Sequence, residues 1–393
     1  MSTIFDLEQK YFLQTYKRLS IDVVKGEGCY LYDRGGIQYL DFFGGLAVNA
    51  LGYGHAHIVE AIRQQTNQYI HLSNFFVQEP QIRLAELLIN ASGYHKLFLT
   101  NSGTEAVEGA IKLARKWGVK RQKKNLFGLS NSFHGRTMGA LSLTERAKYR
   151  EGYEPFLPNT GHIRFNDVSD LQSKVDDKTL GVVIEVIQGE GGVNVASREF
   201  CEELSSLQKK YGLLIIADEI QCGIGRTGTF FGFQHTGLRP DIVVVAKALG
   251  GGLPLGAVLA TQEVSSAFTF GVHGTTFGGN PVACAAGTMV LQEVVEGGLM
   301  QRAGKIGDRL ISAFRGLQKE LTGAVTDVRG FGCMVGVQLS KDGQPVVDEL
   351  QRRGILINCT NANVLRFLPP YIVSDEQCDR VIAELSSVLK TLT

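Results

Sequence analysis

The sequence predicts an α/β protein with a mostly parallel central sheet and a smaller α+β domain. Between about residues 55 and 280, short runs of valine, isoleucine and leucine alternate with segments of helical periodicity. Strands that are apolar on both faces indicate a sheet covered by helices on both sides. After about residue 283 long helices and short strands follow instead. We therefore expect an N-terminal segment, 1–50, that packs with the small domain, a large domain over 51–282 and a small domain over 283–393.

The individual elements follow from apolar periodicity and turn residues. The N-terminus predicts a short irregular lead, and then two strands around 28–33 and 38–42 joined by the turn Arg34-Gly-Gly36. The large domain predicts helices at 57–69, 81–91, 105–117 and 198–211, and strands at 96–100, 125–130, 181–187, 213–217 and 241–246. The small domain predicts helices at 282–295, at 300–321 and from 374, and strands around 327–339 and 354–358.

Composition narrows the class of protein. The chain has 393 residues, of which 20% are charged, and a net charge of +1, without the basic excess of a nucleic-acid binder. Seven cysteines without a Cys-x-x-Cys pair, and a first segment unlike a signal peptide, predict a cytoplasmic protein with free thiols. No apolar run approaches the ~20 residues that span a bilayer. His55 and His57 lack nearby carboxylate or cysteine partners, so no metal site is predicted.

Two apolar runs of the large domain end in ionisable residues. The run 213–217 is followed by Asp218 and Glu219, and the run 241–246 is followed by Lys247. The carboxyl ends of parallel strands lie at one edge of an open sheet, where α/β proteins build their sites. A buried ammonium is costly unless it is neutralised or paired, and a desolvated lysine is a common nucleophile of Schiff-base chemistry. We therefore expect Lys247 and Asp218 to share one site.

The segment Thr100-Asn-Ser-Gly-Thr-Glu105 links a predicted strand to a predicted helix. Ser102, Gly103 and Thr104 then lie at the helix N-terminus, where free N–H groups and the helix dipole favour an anion such as phosphate. Simple N-capping by a serine or threonine is the alternative.

A Gly-x-Gly-x-x-Gly pattern at 223–228 also follows a strand. It does not predict a dinucleotide site, because no helical periodicity follows and no acidic residue ends a second strand about 20 residues later. The phosphate-binding motif Gly-x-x-x-x-Gly-Lys-Ser/Thr is absent from the sequence, which excludes a P-loop nucleotidase.

Four features together point to pyridoxal 5'-phosphate as a cofactor. They are the anion-binding helix start, an acid after one strand, a lysine after another strand and an aromatic ring at Phe133. Asp218 would keep the pyridine nitrogen protonated, so that the ring accepts electrons. Phe133 would stack on the ring. Lys247 would carry the cofactor as a Schiff base and move the Cα proton as a general base.

With these motifs in order, the sequence resembles the class III (ω-type) pyridoxal-phosphate-dependent aminotransferases of fold type I over nearly its whole length. The resemblance rests on Asn101-Ser-Gly-Thr-Glu-Ala106, Phe133-His-Gly-Arg-Thr137, Gln188-Gly-Glu-Gly-Gly192, Asp218-Glu-Ile-Gln-Cys-Gly-Ile-Gly-Arg-Thr-Gly228, Ala246-Lys-Ala-Leu-Gly-Gly-Gly252, His273-Gly-Thr-Thr-Phe-Gly-Gly-Asn-Pro281 and Val364-Leu-Arg-Phe367. The resemblance implies an obligate homodimer, because the family's active site is completed across the subunit interface.

The resemblance also implies roles for single residues. Lys247 and Asp218 would be catalytic, and the cofactor would be held by them and by Ser102, Gly103, Thr104, Phe133, Glu219, Ile220, Gln221 and the neighbouring subunit's Thr276. Substrate would be bound by Arg136, Arg366, Glu190, Tyr16 and the neighbouring subunit's Thr275. A pairing of Glu190 with Arg366 would mask the arginine for the amino donor and release it for the dicarboxylate acceptor.

Substrate choice rests on two positions. Family members that act on ornithine usually carry a bulky aromatic at the position of Gly45 and a tryptophan at that of His134. Gly45 and His134 resemble instead the members that act on N2-acetyl-L-ornithine, although a turn glycine would also explain Gly45. With the α-carboxylate on Arg136, the expected transfer to 2-oxoglutarate gives N-acetyl-L-glutamate 5-semialdehyde and L-glutamate, a step of arginine biosynthesis.

The alternatives left open by the sequence are of two kinds. Within the fold, the amino donor could instead be N-succinylornithine, ornithine, a carrier-bound lysine-pathway substrate or 4-aminobutyrate. A pyridoxal-phosphate-dependent racemase or aminomutase and an NAD-dependent dehydrogenase are the alternatives from other enzyme classes.

Overall fold

The computed structural model describes residues 3–392. Its strands are β1 (Val23–Glu27), β2 (Tyr30–Asp33), β3 (Gln38–Asp41), β4 (Lys96–Thr100), β5 (Asn125–Leu129), β6 (Thr160–Ile163), β7 (Thr179–Ile184), β8 (Ile187–Gln188), β9 (Asn194–Val195), β10 (Leu214–Asp218), β11 (Ile242–Val245), β12 (Gly256–Ala260), β13 (Val325–Phe331), β14 (Met334–Leu339), β15 (Ile355–Leu356), β16 (Asn358–Thr360) and β17 (Val364–Phe367).

The α-helices are α1 (Ile4–Tyr11), α2 (Gly44–Ala47), α3 (Ala56–Gln68), α4 (Glu79–Ser92), α5 (Gly103–Val119), α6 (Met138–Leu143), α7 (Ala147–Arg150), α8 (Val168–Lys174), α9 (Arg198–Tyr211), α10 (Gln262–Ser265), α11 (Pro281–Val295), α12 (Leu299–Glu320), α13 (Gln344–Arg352) and α14 (Asp375–Leu392). Two 3-10 helices, Gly232–His235 and Lys247–Gly250, follow β10 and β11.

A seven-stranded sheet in the order β4-β12-β11-β10-β7-β5-β6 is built from strands that lie between residues 96 and 260. β12 is antiparallel to both of its neighbours, and the other four pairings are parallel. Six strands therefore run in one direction, and their carboxyl ends meet at one edge. The predicted mostly parallel sheet is confirmed, with β6 and β12 as two strands that the sequence analysis did not identify.

Helices cover both faces of this sheet because successive strand residues point to opposite sides. Val183, Ile216 and Val244 pack with α5 on one face. Ile184 and Ile215 belong to a second apolar cluster on the other face, with Phe200, Leu204 and Leu207 of α9. Both helices begin at serine N-caps, since Ser102 Oγ accepts from the Glu105 N–H and Ser197 Oγ from the Phe200 N–H.

The C-terminal part forms an antiparallel sheet in the order β13-β14-β17-β16, which carries α12 on one side. A separate sheet, β1-β2-β3-β15, joins the N-terminal segment to the C-terminal part through the parallel pairing of β3 with β15. α11 packs against α3 and α4, whereas α12 packs against β13 and α14. The domain boundary at residue 282 stays a prediction.

The glycine motif at 223–228 has a structural role. The completely buried Arg226 donates to the carbonyl oxygens of Pro369 at 2.6 Å, Cys333 at 3.2 Å and Ala47 at 3.3 Å. The motif therefore ties three distant segments together, and a turn rather than a long helix follows it.

Within residues 3–392 no single helix meets the length and apolarity needed to cross a membrane. α11 and α12 meet that test only when joined, and they are bent by 62° at the break between them.

Candidate active site

A cavity of about 450 Å³ lies at the carboxyl edge of the central sheet. β10 ends at Asp218, β11 leads directly into Lys247, and Glu185 follows β7. The residues that line the cavity are Val48, Asn101, Ser102, Gly103, Thr104, Phe133, His134, Gly135, Arg136, Glu185, Glu190, Asp218, Ile220, Gln221, Ala246, Lys247, Gly252, Leu253, Pro254 and Leu255. The structure thus brings together most of the residues that the sequence analysis singled out.

Lys247 enters the cavity from a strained backbone conformation, since its φ is 44°. Such a left-handed geometry costs a non-glycine residue on the order of 1–3 kcal/mol and is typical of functional sites. Burial lowers the pKa of the Lys247 amine and Arg366 lowers it further, while Glu190, Asp218 and Glu185 raise it. The result is a pKa below the ordinary value, which favours a neutral amine.

Asp218 is fixed from two sides. Its Oδ2 lies 2.7 Å from Nδ1 of the buried His134, and its Oδ1 accepts the Ile220 N–H at 3.1 Å. Burial lowers the pKa of His134, but the hydrogen bond to Asp218 and its charge outweigh burial, so the pKa is raised overall. His134 therefore holds the Asp218 carboxyl group in place by pairing with it.

Glu185 is a further buried carboxyl group beside this pair. Its Oε2 accepts the Phe133 N–H at 2.8 Å, and its Oε1 accepts the Gly189 N–H at 3.4 Å. Burial raises the pKa of Glu185 to about 7. Glu185 was not among the predicted site residues, although it directly follows the apolar strand β7.

The N-terminus of α5 opens into the same cavity. Ser102 caps the helix, and the N–H groups of Gly103 and Thr104 find no acceptor within residues 3–392. A Cβ at Gly103 would lie 2.8 Å from the Ile220 side chain, and a Cβ at Gly135 would collide with Thr104 Oγ1. Glycines thus allow close packing against Ile220 and Thr104 beside two free donors that face the cavity, which suits an anion.

Phe133 and Ile220 both line the cavity, where flat apolar groups favour a ring ligand. The guanidinium of Arg136 lies 3.8 Å from the ring centre of Tyr149 and 5.4 Å from that of Phe133. Arg136 is largely exposed, so its charge is available at the mouth of the cavity.

A second ion pair closes another side of the cavity. Arg366, whose side chain is completely buried, donates from Nη1 to Glu190 Oε1 at 2.7 Å and to Gln221 Oε1 at 3.2 Å. Its Nε donates to Asn358 Oδ1 at 3.2 Å, while its Nη2 has no partner within residues 3–392. Burial raises the pKa of Glu190, but Arg366 outweighs burial and lowers it overall.

Comparison with known proteins identifies the family. A family model described as "Aminotransferase class-III" matches residues 11–389. The chain belongs to the class III aminotransferase family. Two curated relatives named acetylornithine aminotransferase are similar over nearly the full chain. The one from Methanocaldococcus jannaschii is 43% identical over 98% of this chain and 97% of its own, and the one from Aquifex aeolicus is 44% identical over 96% and 100%.

Solved structures show the same fold. The ornithine aminotransferase from Toxoplasma gondii has a TM-score of 0.94 at 29% identity, covering 99% of this chain and 94% of that one. A second structure of that protein has partial occupancy of pyridoxal phosphate at its active site. A Bacillus anthracis aminotransferase has a TM-score of 0.92 at 28% identity, covering 98% of this chain and 97% of its own.

Five of the site residues expected from the family resemblance do not line the cavity, and one of them, Arg366, lies behind its wall in contact with Glu190 and Gln221. Glu219 points to the opposite side of its strand from Asp218, where its carboxylate accepts the N–H groups of Gly232 and Phe233. Burial raises the pKa of Glu219 to about 7. Glu219 therefore does not line the cavity, since adjacent residues of an extended chain face opposite ways, and its expected part in holding the cofactor stays a prediction.

Tyr16, Thr275 and Thr276 are the other three. Tyr16 is exposed, with the Arg18 guanidinium 5.6 Å from its ring centre. Thr275 Oγ1 accepts from Asn101 Nδ2 at 3.2 Å, and Thr276 is exposed next to it. None of the three lines the cavity of its own chain.

The two positions used to predict substrate choice have local structural roles in this aminotransferase. Gly45 has a φ of 60°, so its left-handed backbone alone accounts for a glycine there. His134 is committed to Asp218 through Nδ1. Neither observation by itself identifies the amino donor.

Proposed function

We propose that this protein is an acetylornithine aminotransferase, which uses pyridoxal phosphate to transfer the δ-amino group of N2-acetyl-L-ornithine to 2-oxoglutarate. The observation that carries the proposal is one cavity that is lined by Lys247, by the Asp218–His134 pair and by Glu190, the carboxylate that masks Arg366. The names of the curated relatives, at 38–44% identity over nearly the whole chain, support the choice of substrate.

The residues present fit the proposed cofactor. The free N–H groups of Gly103 and Thr104, at a helix N-terminus that lines the cavity, match a phosphate group. Lys247 would hold the cofactor covalently through Nζ, and Asp218 would hold the pyridine nitrogen. When bound, pyridoxal phosphate supplies an electron sink for the carbon that loses its proton.

The chain's own groups then have distinct tasks. The lowered pKa of Lys247 keeps a fraction of the amine neutral, so Nζ can take up and return a proton at the substrate carbon. His134 keeps Asp218 oriented through a buried hydrogen bond that solvent does not reach. The walls of Phe133 and Ile220 exclude water from this proton transfer.

Two arginines would recognise the two substrates in turn. Arg136 would hold the carboxylate of the amino donor while Glu190 keeps Arg366 neutralised. For 2-oxoglutarate, Glu190 would leave Arg366, so that the guanidinium binds the second carboxylate. The 2.7 Å Glu190–Arg366 contact supports the first of these states.

Stopped-flow half-reactions of the holoenzyme test the proposal. N-acetylornithine, N-succinylornithine, ornithine and 4-aminobutyrate are compared by rate constant over binding constant, with the cofactor absorbance as the signal. We expect N-acetylornithine to give the highest value. A higher value for ornithine or 4-aminobutyrate would overturn the substrate, and no reaction with any amine would overturn the activity.

We also propose a homodimer with shared active sites. Phe75, Val77 and Phe270 are almost fully exposed, at 99%, 89% and 107%, which is unusual for large apolar side chains in a monomer. Thr275 and Thr276 lie outside the cavity of their own chain, as expected if they serve the neighbouring one. All seven cysteines are unpaired thiols, which supports a cytoplasmic location.

Hybrid dimers test the shared site. A Lys247→Ala chain mixed with a Thr276→Val chain forms one site in which both residues are intact and one in which both are altered. We expect activity to increase on mixing above the sum of the two separate variants. No gain after verified subunit exchange would contradict shared sites, and a monomer in light scattering would contradict the dimer.

A further inference from the structure

The backbone carbonyl of Glu190 accepts two hydrogen bonds from different parts of the chain. Arg146 Nη1 donates to it at 2.8 Å, and Thr360 Oγ1 donates at 2.6 Å. The second guanidinium nitrogen of Arg146, Nη2, donates to Asn361 Oδ1 at 3.2 Å. Arg146 is thus held in a fork between Glu190 and the turn that follows Thr360.

These donors come from elements on both sides of the cavity. Arg146 immediately precedes α7 in the large domain, whereas Thr360 ends β16 in the small domain. β16 pairs antiparallel with β17, the strand that carries Arg366, with Thr360 opposite Val364. The carbonyl of Glu190 therefore lies at a junction of both domains, next to the ion pair that its own side chain makes.

We propose that Arg146 and Thr360 are positioning residues that favour the closed Glu190–Arg366 pair. The inference rests on the proposed function, in which this pair masks Arg366 from the amino donor. Arg366 is held by its strand and is completely buried, so Glu190 is the partner that must move. Fixing the Glu190 backbone reduces the conformational freedom that its side chain loses on pairing, which stabilises the closed state.

Two possible roles of Arg146 and Thr360 predict opposite changes in the affinity for a dicarboxylate. If Arg146 and Thr360 only hold the fold together, their loss loosens the cavity and weakens the binding of every ligand. If they favour the closed pair, their loss frees Arg366 more easily, and a dicarboxylate that competes with Glu190 binds more tightly. The sign of the change in dicarboxylate affinity separates the two roles.

The test is calorimetric binding of glutarate, an unreactive dicarboxylate, to the holoenzyme. Arg146→Gln and Thr360→Val each remove one hydrogen bond to the Glu190 carbonyl, and we expect each to tighten glutarate binding about threefold to tenfold. Thr360→Ser keeps the hydroxyl, and Lys148→Gln removes a charge from the same helix without contacting Glu190. We expect both controls to bind glutarate as the wild type does.

The half-reactions give a second readout. In both test variants, the ratio of the rate constant to the binding constant should fall more in the donor half-reaction with N-acetylornithine than in the acceptor half-reaction with 2-oxoglutarate. Unchanged or weaker glutarate binding by Thr360→Val, with an unaltered melting temperature, would overturn the inference. Thr360→Val also decides the outcome if Arg146→Gln does not fold. Failure of the wild type in both half-reactions would overturn the proposed function instead.

Discussion

Replacing Glu190 by glutamine removes one charge from the masked-arginine arrangement and leaves its shape in place. Glu190 Oε1 lies 2.7 Å from Nη1 of Arg366, whose side chain is completely buried. The amide oxygen of glutamine can still accept this hydrogen bond. Glu190→Gln therefore tests the charge of the pair rather than its packing.

The magnitude follows from the burial of the pair. Removing one partner of a fully buried ion pair costs about 3–5 kcal/mol. Here the Glu190 side chain keeps 23% of its exposure, and Arg366 keeps Asn358 and Gln221 as acceptors. The cost is thus closer to that of a hydrogen bond to a charged group, about 1.5–3 kcal/mol, which corresponds to about tenfold to a hundredfold in a rate or binding constant.

The assay is again the pair of half-reactions. With N-acetylornithine, Arg366 stays next to the cavity without its counter-charge. The ratio of the rate constant to the binding constant should therefore fall about tenfold to a hundredfold. With 2-oxoglutarate, the second carboxylate no longer displaces Glu190, so the value should fall by less than about threefold or rise. Glu145→Gln, the same change at a carboxylate that accepts the Asn131 N–H and forms no salt bridge within residues 3–392, is the matched control. Equal losses in both half-reactions would refute the masking of Arg366.

The same variant has a defined pH signature. Because the folded pKa of Glu190 lies below its ordinary value of 4.5, the pair stabilises the fold above pH 4.5. This stabilisation is lost as the pH falls through the folded pKa. The difference in melting temperature between wild type and Glu190→Gln should therefore shrink below pH 4.5, and a difference that grows there would contradict the pairing.

The remaining predictions concern the other side of the cavity. Gly103→Ala should lose pyridoxal phosphate on gel filtration, because the new Cβ would lie 2.8 Å from a side chain, whereas Gly316→Ala, with nothing within 4 Å, should retain it. His134→Phe removes the 2.7 Å hydrogen bond to Asp218. Because the pKa of His134 is raised in the folded protein, the loss of stability should be largest below pH 6.5 and should shrink as the pH rises. Thermal melts of the variant and the wild type over this pH range measure the difference. Because the pKa of Glu185 is raised to about 7 in the folded protein, the wild type should lose stability as the pH rises from 4.5 to 7. Glu185→Gln, which carries no charge, should therefore melt at a higher temperature than the wild type above pH 7.

The central strands could be predicted from the sequence because their apolar runs are long and end in charged or glycine residues. β12, Gly256–Ala260, was missed, since it is short, contains glycine and alanine, and directly follows a glycine-rich turn. The N-terminal lead was expected to be irregular, but α1 forms there with no buried residue. Its signal was the capping box of Thr3 and Asp6, in which each side chain accepts the other's N–H.

The site was predictable where it depends on strand ends and not where it depends on packing between distant segments. Asp218 and Lys247 follow apolar strands, so their placement at one edge follows from the topology of parallel sheets. The His134–Asp218 pair joins residues 84 positions apart and exists only because β7 brings the ends of β5 and β10 to its two sides. No local pattern encodes that distance. The same holds for Glu219, whose carboxylate accepts the N–H groups of Gly232 and Phe233 away from the cavity, a contact that no local pattern predicts.

The charges around Lys247 give a reason why a carboxylate, rather than empty space, should face Arg366. Burial lowers the pKa of Lys247, Glu190 raises it and Arg366 lowers it, so the closed pair has opposing effects on the amine. If Glu190 moves away, the Lys247 amine still has the positive charge of Arg366 nearby but has lost the negative charge of Glu190. The amine is then a weaker base until the second carboxylate of the acceptor binds Arg366 in place of Glu190. A carboxylate then neighbours Arg366 in both half-reactions. It follows that Glu190→Gln should shift the pH profile of the donor half-reaction to lower pH and leave the profile of the acceptor half-reaction unchanged. Identical shifts in both profiles would show that the Glu190–Arg366 pair does not affect the pKa of Lys247.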